Sequence, residues 1–225
     1  MQTYAMPEWV RSRILRRRAT VFAHQYIAAV KSALVVIDMQ NYFCAPGQPS
    51  ETPAAREIVG AINRMASRLR AAGGAVIWVQ TSSARALERW ANHHRHDLSA
   101  ERAARRIAGL AEGSEGFALY GGLEARPEDV YVKKATYSAL IQDSSTLEAE
   151  LRARRVESLL IAGTTTNVCC ESTARDAMLL DFRVIVLSDA TAAATPEEHV
   201  ASLNNIALYF GDVMTVSGAE ERLSA

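Results

Sequence analysis

The sequence predicts an α/β fold of three layers, in which a doubly wound, Rossmann-like parallel sheet of about six strands carries helices on both faces. Two observations predict this class. Short apolar, β-branched runs such as ALVVID and AVIWVQT are typical of strands buried on both faces of a sheet. Stretches with apolar residues at helical spacing separate these runs, and a strand, a helix and a strand in succession pair in parallel through a right-handed crossover.

The predicted elements alternate along the chain. The run ALVVID spans residues 33–38, and apolar positions at helical spacing predict a helix over 54–72 that ends at Gly73. The strand AVIWVQT follows at 75–81. The later elements are predicted as strand 129–134, a helix near 145–155, strand 159–162, a helix after Gly163, strand 183–190, a helix over about 196–209 and strand 211–216.

The chain is predicted to form one domain, residues 31–225, after an N-terminal helical arm, residues 1–30. The Arg-rich arm is expected to pack on the domain or on a neighbouring subunit, with binding to an acidic surface as the alternative. An insertion at about 82–128 interrupts the alternation of strands and helices. Insertions of this kind often serve as lids, as elements that shape the substrate site or as oligomer contacts. Its HHRH stretch at 93–96 is interpreted as a solvated turn rather than a metal site.

Composition favours a protein that acts on a small molecule. The 225 residues are 49% hydrophobic, and 25 Lys and Arg balance 25 Asp and Glu, so the basic field of nucleic-acid-binding proteins is absent from the sequence. Three cysteines do not make a disulfide framework, and a reactive thiol suits a reducing cytoplasm, which is the expected location. No apolar run in the sequence is long enough to span a membrane, so no membrane partner is expected.

The stretch LLIAGTTTNVCCESTARDA, residues 159–177, predicts a buried strand that turns sharply into a helix. This turn places Cys169 at a helix start, where unpaired N–H groups favour a thiolate and can hold an oxyanion beside the sulfur. The alternative is that Cys169 is a packing residue, as buried cysteines often are. Cys170 is assigned to the core, because helical steps carry it to Ala174 and Ala177.

Three residues of complementary chemistry follow predicted strands. In open α/β sheets, ligands bind beyond the carboxyl ends of the strands, where Asp38, Lys134 and Cys169 all lie. A carboxylate can take the thiol proton, and an ammonium can favour both the thiolate and the carboxylate. Taken singly, Asp38 is explained as a turn cap and Lys134 as a solvated strand end, so it is the combination that indicates a catalytic site.

Three motifs resemble those of the isochorismatase-like cysteine hydrolase superfamily. They are IDMQNYF with Asp38, VKKATYSAL with Lys134 and GTTTNVCCESTARDA with Cys169, in the family's order, and the match runs from about Ala33 to the C-terminus. Within the superfamily, the chain looks most similar to the ureidoacrylate amidohydrolases, through TYS after the lysine and TNVCCESTARDA around the cysteine. The resemblance implies an isochorismatase-like fold.

The resemblance also implies roles for these residues. Cys169 would be the nucleophile, Asp38 the general base and later the general acid, and Lys134 the charge that couples them. The family has a cis peptide bond in the turn before the cysteine, which here would be Thr164–Thr165. This bond would aim the Thr165 and Cys169 N–H groups into an oxyanion hole.

Substrate-binding residues are predicted less directly. Tyr137 and Asn167 occupy motif positions that line or support the pocket in the family, and Phe43 and Trp78 are aromatic side chains near the predicted strand ends. Zinc-dependent nicotinamidases of the superfamily carry an Asp-x-His motif after the second strand, where this chain has TSSARALERW. The resemblance therefore implies an enzyme without a metal or another cofactor.

The function predicted from the sequence is a metal-independent cysteine amidohydrolase. It would hydrolyse a C–N bond of a small amide, carbamoyl or ureido compound through a covalent thioester. The alternatives are a non-catalytic member of the fold that binds a metabolite or serves assembly, and a nicotinamidase-like amidase. A nucleotide-binding Rossmann protein is disfavoured, because GTTTNV lacks the glycines of the dinucleotide motif. Related proteins lead us to expect a homo-oligomer, a dimer or tetramer.

Overall fold

A parallel sheet of six strands forms the centre of the protein. The computed structural model describes residues 2–224. In that range the strands are β1 (Ile27–Ala28), β2 (Ser32–Ile37), β3 (Ala75–Thr81), β4 (Val130–Lys134), β5 (Ser158–Thr164), β6 (Arg183–Ala192), β7 (Asp212–Met214) and β8 (Leu223–Ser224). The sheet has the order β4-β3-β2-β5-β6-β7, and all its neighbours pair in parallel. The short strands β1 and β8 pair separately, also in parallel.

Helices of very different length connect the strands. They are α1 (Glu8–Arg17), α2 (Asn41–Cys44), α3 (Val59–Ala71), α4 (Ala86–Arg89), α5 (Ala100–Gly109), α6 (Leu147–Ala153), α7 (Glu171–Leu179), α8 (Pro196–Asn205) and α9 (Val216–Glu220). Short 3₁₀ turns lie at Ala29–Lys31 and Pro53–Arg56, and wider π turns lie at His93–Asp97, Thr166–Cys170 and Ile206–Phe210.

The sheet lies between two apolar layers. Side chains alternate along each strand, so Ile77 and Val79 pack in one cluster, which includes residues of α1, α6, α7 and α8. Val76 and Trp78 point to the other face and pack with residues of α3 and α9. The predicted fold class, a doubly wound parallel sheet covered on both faces, is therefore confirmed.

Two predicted helices are shorter than expected. The prediction over 54–72 merges a 3₁₀ turn with α3, because the turn is closed by tight bonds such as Ala55 N–H to the Thr52 carbonyl. The prediction over 196–209 merges α8 with a π turn, in which the Gly211 N–H reaches back five residues to the Ile206 carbonyl at 3.1 Å. Apolar spacing over a single turn does not distinguish these bonding patterns.

The N-terminal arm packs on the domain itself. Val10 and Ile14 of α1 are buried in the cluster that contains α7 and α8. Arg18 forms an ion pair at 2.7 Å with the buried carboxylate of Asp212. The predicted contact of the arm with a neighbouring subunit stays a prediction. Met1 and Ala225, the outer limits of the predicted arm and domain, lie outside the described residues. No helix within residues 2–224 combines the length and the apolar composition that crossing a bilayer requires.

The insertion at 82–128 contains α4, a π turn and α5. The prediction that residues 93–96 form a solvated turn is wrong for His93 and His94, which are both buried. Their rings pack with Trp90, which stacks on His93 at 4.0 Å between centroids, so aromatic contacts hold this turn against the domain. Among the residues described, no three His, Cys, Asp or Glu side chains are grouped so that they would hold a metal ion.

Candidate active site

Strand ends and one helical turn bring a carboxylate, an ammonium and a thiol together. Asp38 directly follows β2, Lys134 ends β4, and Cys169 lies in the π turn after β5. Lys134 Nζ lies 2.9 Å from Asp38 Oδ2 and 3.6 Å from Cys169 Sγ. The three residues are 0%, 1% and 7% exposed, in chain order. The structure therefore places the three residues selected from the sequence in one buried cluster.

The backbone at the end of β5 carries Cys169 into this cluster. Gly163 has φ +111°, and a Cβ at this position would lie 2.0 Å from the Ile37 carbonyl oxygen, so only glycine fits beside β2. The Thr164–Thr165 peptide bond is cis, as predicted. The Cys170 N–H donates at 3.1 Å to the carbonyl of Thr165, which closes the wide turn around Cys169.

Thr81 links the two charged side chains. It is the last residue of β3, the strand between β2 and β4. Its hydroxyl donates to Asp38 Oδ1 at 2.7 Å and accepts from Lys134 Nζ at 2.7 Å. Its N–H donates to Gln40 Oε1 at 2.7 Å. Thr81 and Gln40 were not among the site residues predicted from the sequence, although Thr81 ends a predicted strand just as Lys134 does, and that position was the available signal.

Burial and neighbouring charges shift the pKa values of Cys169 and Lys134. Burial raises the pKa of the Cys169 thiol to about 12, and the charge of Asp38 adds to this effect, whereas Lys134 opposes it. Burial alone would lower the pKa of Lys134, but the charges of Asp38 and Cys169 outweigh burial and raise it. Burial and the charge of Asp38 therefore oppose the thiolate that the helix start is expected to favour, and the favoured thiolate stays a prediction.

The raised pKa of Cys169 predicts slow alkylation of the folded protein. We expect iodoacetamide to modify Cys169 near neutral pH at least about 10-fold more slowly than a free thiol, whose pKa is about 8.5, because only the thiolate reacts. The rate should still rise with pH above about 8.5, where that of a free thiol levels off, because the thiolate fraction of a group with a pKa of about 12 keeps growing. Peptide mass spectrometry identifies the modified cysteine, and Cys169→Ser is the control. Modification of Cys169 at pH 6 that is faster than that of a free thiol would contradict the raised pKa.

The other two cysteines are packing residues. Cys170 is fully buried, and its thiol lies 3.9 Å from the Ala162 carbonyl in the apolar layer, so its predicted place in the core is confirmed. Cys44 is also fully buried, with its sulfur 4.0 Å from the sulfur of Met39. Burial raises the pKa of both thiols. Neither has a charged side chain within hydrogen-bonding distance of its sulfur in the described part of the chain, in contrast to Cys169.

Helix α8 supports the turn from behind. Thr166, the first residue of the π turn, shares a hydrogen bond of 2.9 Å with Nδ1 of His199, and both side chains are fully buried. The hydroxyl of Ser202, one turn further along α8, lies 2.6 Å from Glu171 Oε2 and 3.2 Å from the Thr166 carbonyl, so its one proton is shared between two acceptors. Burial lowers the pKa of His199, so its ring is neutral here. Polar residues of this kind give no signal in the sequence.

Trp78 does not fit the substrate-binding role predicted for it. It is fully buried on the sheet face that packs with α3, and its indole N–H donates at 2.8 Å to Oδ2 of Asp129. Asp129 is also the ion-pair partner of Arg70. The physical reason is strand alternation: Val79 and Ile77 point to the layer that contains Cys169, so Trp78 between them points away from it.

The other predicted binding residues lie in different surroundings. Tyr137 is 37% exposed and lines two surface cavities, of about 430 and 500 Å³. Phe43 is half-buried and packs against the core layer of α3, and its predicted binding role stays a prediction. Its neighbour Tyr42 lines the smaller cavity. Asn167 lies in the turn before Cys169, and its Oδ1 is buried without a hydrogen-bond partner within residues 2–224. Binding roles for Tyr137 and Asn167 stay predictions.

A larger cavity lies at the opposite end of the sheet. It has a volume of about 660 Å³ and is lined by residues such as Arg183, which begins β6, and Gly211, which precedes β7. None of the clustered carboxylate, ammonium and thiol groups lines it. Its size therefore does not make it the reaction site, because the chemistry lies at the carboxyl ends of the strands.

Comparison with known proteins identifies the family. The family described as Isochorismatase domain matches residues 32–218. The chain belongs to the isochorismatase family. Among relatives of this isochorismatase-family hydrolase, the ureidoacrylate amidohydrolase RutB of Stutzerimonas stutzeri is 34% identical over 209 residues, which cover 84% of this chain and 81% of the relative. RutB of Azorhizobium caulinodans is 33% identical over 207 residues, which cover 85% and 89%.

A solved structure of a cysteine hydrolase has the same architecture. A cysteine hydrolase from Pseudomonas syringae pv. phaseolicola superposes with a TM-score of 0.74 at 30% identity, over 87% of this chain and 93% of that one. The family assignment and the similarity to ureidoacrylate amidohydrolases, both predicted from the three motifs, are therefore confirmed. Within the matched region of this isochorismatase-family protein lie Asp38, Lys134 and Cys169.

Proposed function

We propose that this chain is a metal-independent cysteine amidohydrolase that hydrolyses a C–N bond of a small amide, carbamoyl or ureido compound. The observation that carries the proposal is the buried contact among Asp38, Lys134 and Cys169 at the carboxyl ends of the strands. A carboxylate beside a protonated thiol supplies a base and a nucleophile in one place. The relatives named ureidoacrylate amidohydrolases support a carbon–nitrogen bond as the target.

The first half of the proposed reaction forms a thioester. Asp38 takes the proton from the Cys169 thiol as the sulfur attacks the carbonyl carbon of the substrate. The N–H groups of Thr165 and Cys169 hold the resulting oxyanion. Protonated Asp38 then gives its proton to the departing nitrogen, the C–N bond breaks, and ammonia or an amine leaves while the acyl group stays on the sulfur.

The second half regenerates the enzyme. Asp38, again a carboxylate, takes a proton from water as the water oxygen attacks the thioester carbonyl. The C–S bond breaks, the acid product leaves, and the sulfur takes the proton back from Asp38. The group that acts as a base in each attack acts as an acid in each departure, so one carboxylate serves all four proton transfers.

Lys134 has an electrostatic part in this scheme. Its ammonium donates to Thr81 Oγ1, to the Thr136 carbonyl and to Cys169 Sγ, and it forms an ion pair at 2.9 Å with Asp38 Oδ2. Its Nζ lies 3.6 Å from the Cys169 sulfur. A fixed positive charge at this point stabilises the negative charge that moves between the carboxylate and the sulfur.

The donor set supports chemistry without a metal. After β3, where zinc-dependent nicotinamidases carry an Asp-x-His motif, the chain continues as SSARALERW. This segment contains one carboxylate, that of Glu88, and no histidine. Glu88 is exposed, and it pairs with Arg85 at 2.7 Å. Buried His93 and His94 pack against the Trp90 ring, and His93 Nδ1 also lies 3.4 Å from the single carboxylate of Asp97. These groups do not form a ligand set of the kind that binds Zn²⁺.

Ammonia release tests the proposed reaction. We expect the purified protein to release ammonia from at least one member of a panel of ureido acids, carbamoyl amino acids, biuret-type ureides and simple amides that includes nicotinamide. Release should persist when EDTA is added at about 10 mM, a concentration that removes loosely bound divalent ions. The reason is that the proposed steps use only groups of the protein. Activity that falls with the chelator and returns with added Zn²⁺ would contradict the metal-independent mechanism. Preference for nicotinamide would support the nicotinamidase-like alternative.

A further inference from the structure

The hydroxyl of Thr81 lies between the two charged groups of the candidate site, and its hydrogen bonds can have only one direction. It lies 2.7 Å from Asp38 Oδ1 and 2.7 Å from Lys134 Nζ. A carboxylate only accepts hydrogen bonds, and an ammonium only donates them. The single hydroxyl proton therefore points to Oδ1, and a proton of Lys134 points to the hydroxyl oxygen. All three residues are buried, so these contacts are shielded from solvent.

The two oxygens of the Asp38 carboxylate are unequally engaged. Oδ1 accepts from the Thr81 hydroxyl and also, at 3.2 Å, from the Thr81 N–H. Oδ2 forms an ion pair at 2.9 Å with Lys134 Nζ, but it accepts no hydrogen bond within residues 2–224. The same Nζ lies 3.6 Å from the Cys169 sulfur. Oδ2 is therefore the oxygen with free lone pairs, and the ammonium that it contacts also contacts the thiol.

Backbone contacts fix Thr81 relative to Asp38. Asp38 has φ +53°, a left-handed conformation that residues with a Cβ rarely adopt, and its N–H donates to the Val79 carbonyl at 2.9 Å. The buried amide of Gln40 accepts from the Thr81 N–H at 2.7 Å and donates to the Thr81 carbonyl at 3.1 Å. Both backbone polar groups of Thr81 are thus bound by one side chain, two residues after Asp38. The ends of β2 and β3 therefore set the position of the hydroxyl against the carboxylate.

We propose that Thr81 is a positioning residue that holds Asp38 Oδ1 and thereby reserves Oδ2 for the proton of the Cys169 thiol. This role rests on the proposed amidohydrolase function and deepens it by naming the oxygen that acts. When the sulfur attacks, its S–H bond breaks and an O–H bond forms at Oδ2, while the Thr81 proton stays on its own oxygen. Because the bond to Oδ1 opposes rotation of the carboxyl group, the same oxygen presents the proton to the departing nitrogen.

Thr81→Val tests this role, because it replaces the hydroxyl with a methyl group of similar size. We expect kcat to fall roughly 10-fold to 100-fold, since a hydrogen bond to a charged group is lost. KM should change by less than about two-fold, because the hydroxyl contacts Asp38 and Lys134 rather than the substrate. Thr81→Ser keeps the hydroxyl, and its kcat should stay within about three-fold of the wild-type value. Steady-state ammonia release from the best panel substrate gives both constants.

Thr191→Val is the matched control. Thr191 is a fully buried threonine of β6, and its hydroxyl donates at 3.0 Å to the Leu187 carbonyl rather than to a charged group. The control should keep kcat within about two-fold of the wild-type value. A loss in Thr81→Val that Thr81→Ser and the control do not share supports the positioning role. Equal losses in both Thr81 variants, no loss, or a rise in KM at unchanged kcat would overturn the role while the amidohydrolase function stands.

Urea unfolding provides a measurement that does not depend on turnover. The unfolding midpoint is compared for the wild type, Thr81→Val, Asp38→Asn and the double variant. Thr81→Val should lower the midpoint at least about two-fold more in the wild-type background than in the Asp38→Asn background, where the charged acceptor is absent. Such coupling without ammonia release from any panel compound would support the contact that holds Asp38 and overturn the proposed function. Equal shifts in both backgrounds would overturn the positioning role.

Discussion

Replacement of Cys169 with serine or alanine should reduce kcat by roughly 10⁴-fold or more, because removal of a nucleophile abolishes the covalent route and leaves only binding and the oxyanion hole. Serine keeps the shape, but its hydroxyl is a far weaker acid than a thiol, so Asp38 cannot deprotonate it readily. The measurement is single-turnover and steady-state ammonia release on the best panel substrate. Far-ultraviolet circular dichroism and thermal unfolding should show that the fold is unchanged.

The neighbouring cysteine provides the matched control for this prediction. Cys170→Ala changes an adjacent, fully buried thiol whose sulfur contacts the Ala162 carbonyl and apolar side chains. It should cost on the order of 1 kcal/mol in the free energy of unfolding through the small cavity it leaves, and retain most of the activity. Full activity of Cys169→Ala would contradict the covalent mechanism. Loss of activity in a folded Cys170→Ala protein would mean that Cys170, and not Cys169, is the reactive thiol.

Lys134→Met should be the most damaging substitution for stability. Lys134 and Asp38 are both about 1% exposed in their side chains, so the variant leaves the carboxylate charged, buried and unpaired. Breaking a buried ion pair by removal of one partner costs about 3–5 kcal/mol. Urea unfolding followed by tryptophan fluorescence measures the loss. We also expect kcat to fall roughly 10²-fold or more, because the positive charge beside the sulfur is removed.

A double variant separates the structural effect of Lys134 from its part in the chemistry. Asp38→Asn removes the charge that Lys134→Met leaves unpaired, so the combined variant should regain a substantial part of the lost stability. It should not regain activity, because the base is absent as well. If the double variant were as unstable as Lys134→Met alone, the ion pair would not be the source of the loss. If it recovered turnover, Asp38 would not be the general base.

Much of the fold is predictable because buried parallel strands are short apolar runs with clear ends. The observed strands β2, β3 and β4 begin and end within one residue of the runs at 33–38, 75–81 and 129–134. The wide turns are not predictable in the same way. Residues 166–170 and 206–210 keep the apolar spacing of a helix, while their backbone bonds reach five residues back. A pattern of side chains does not reveal that difference.

Some residues of the candidate site were predictable from the sequence, and others were not. Asp38, Lys134 and Cys169 could be selected because polar residues after parallel strands meet at one edge of the sheet. Thr81 occupies an equivalent position, but a threonine carries no chemistry that makes it stand out until its contacts with both charged groups are known. Trp78, in contrast, was predicted to bind substrate but is fully buried away from the site. An aromatic residue near a strand end attracts attention, yet the layer that covers each face decides where it points.

The sequence by itself determined the order of strands and helices, the family and the three residues that form the buried cluster, because each depends on local pattern or on residues adjacent in the chain. Only the tertiary structure decided the burial of Cys169 beside two charged groups, the position of Thr81 between those charges and the contact of His199 with the turn that carries Cys169. Burial, charge and hydrogen bonding at these sites come from residues distant in the chain, such as Asp38 for Cys169 and His199 for Thr166. These effects arise only when the strands assemble.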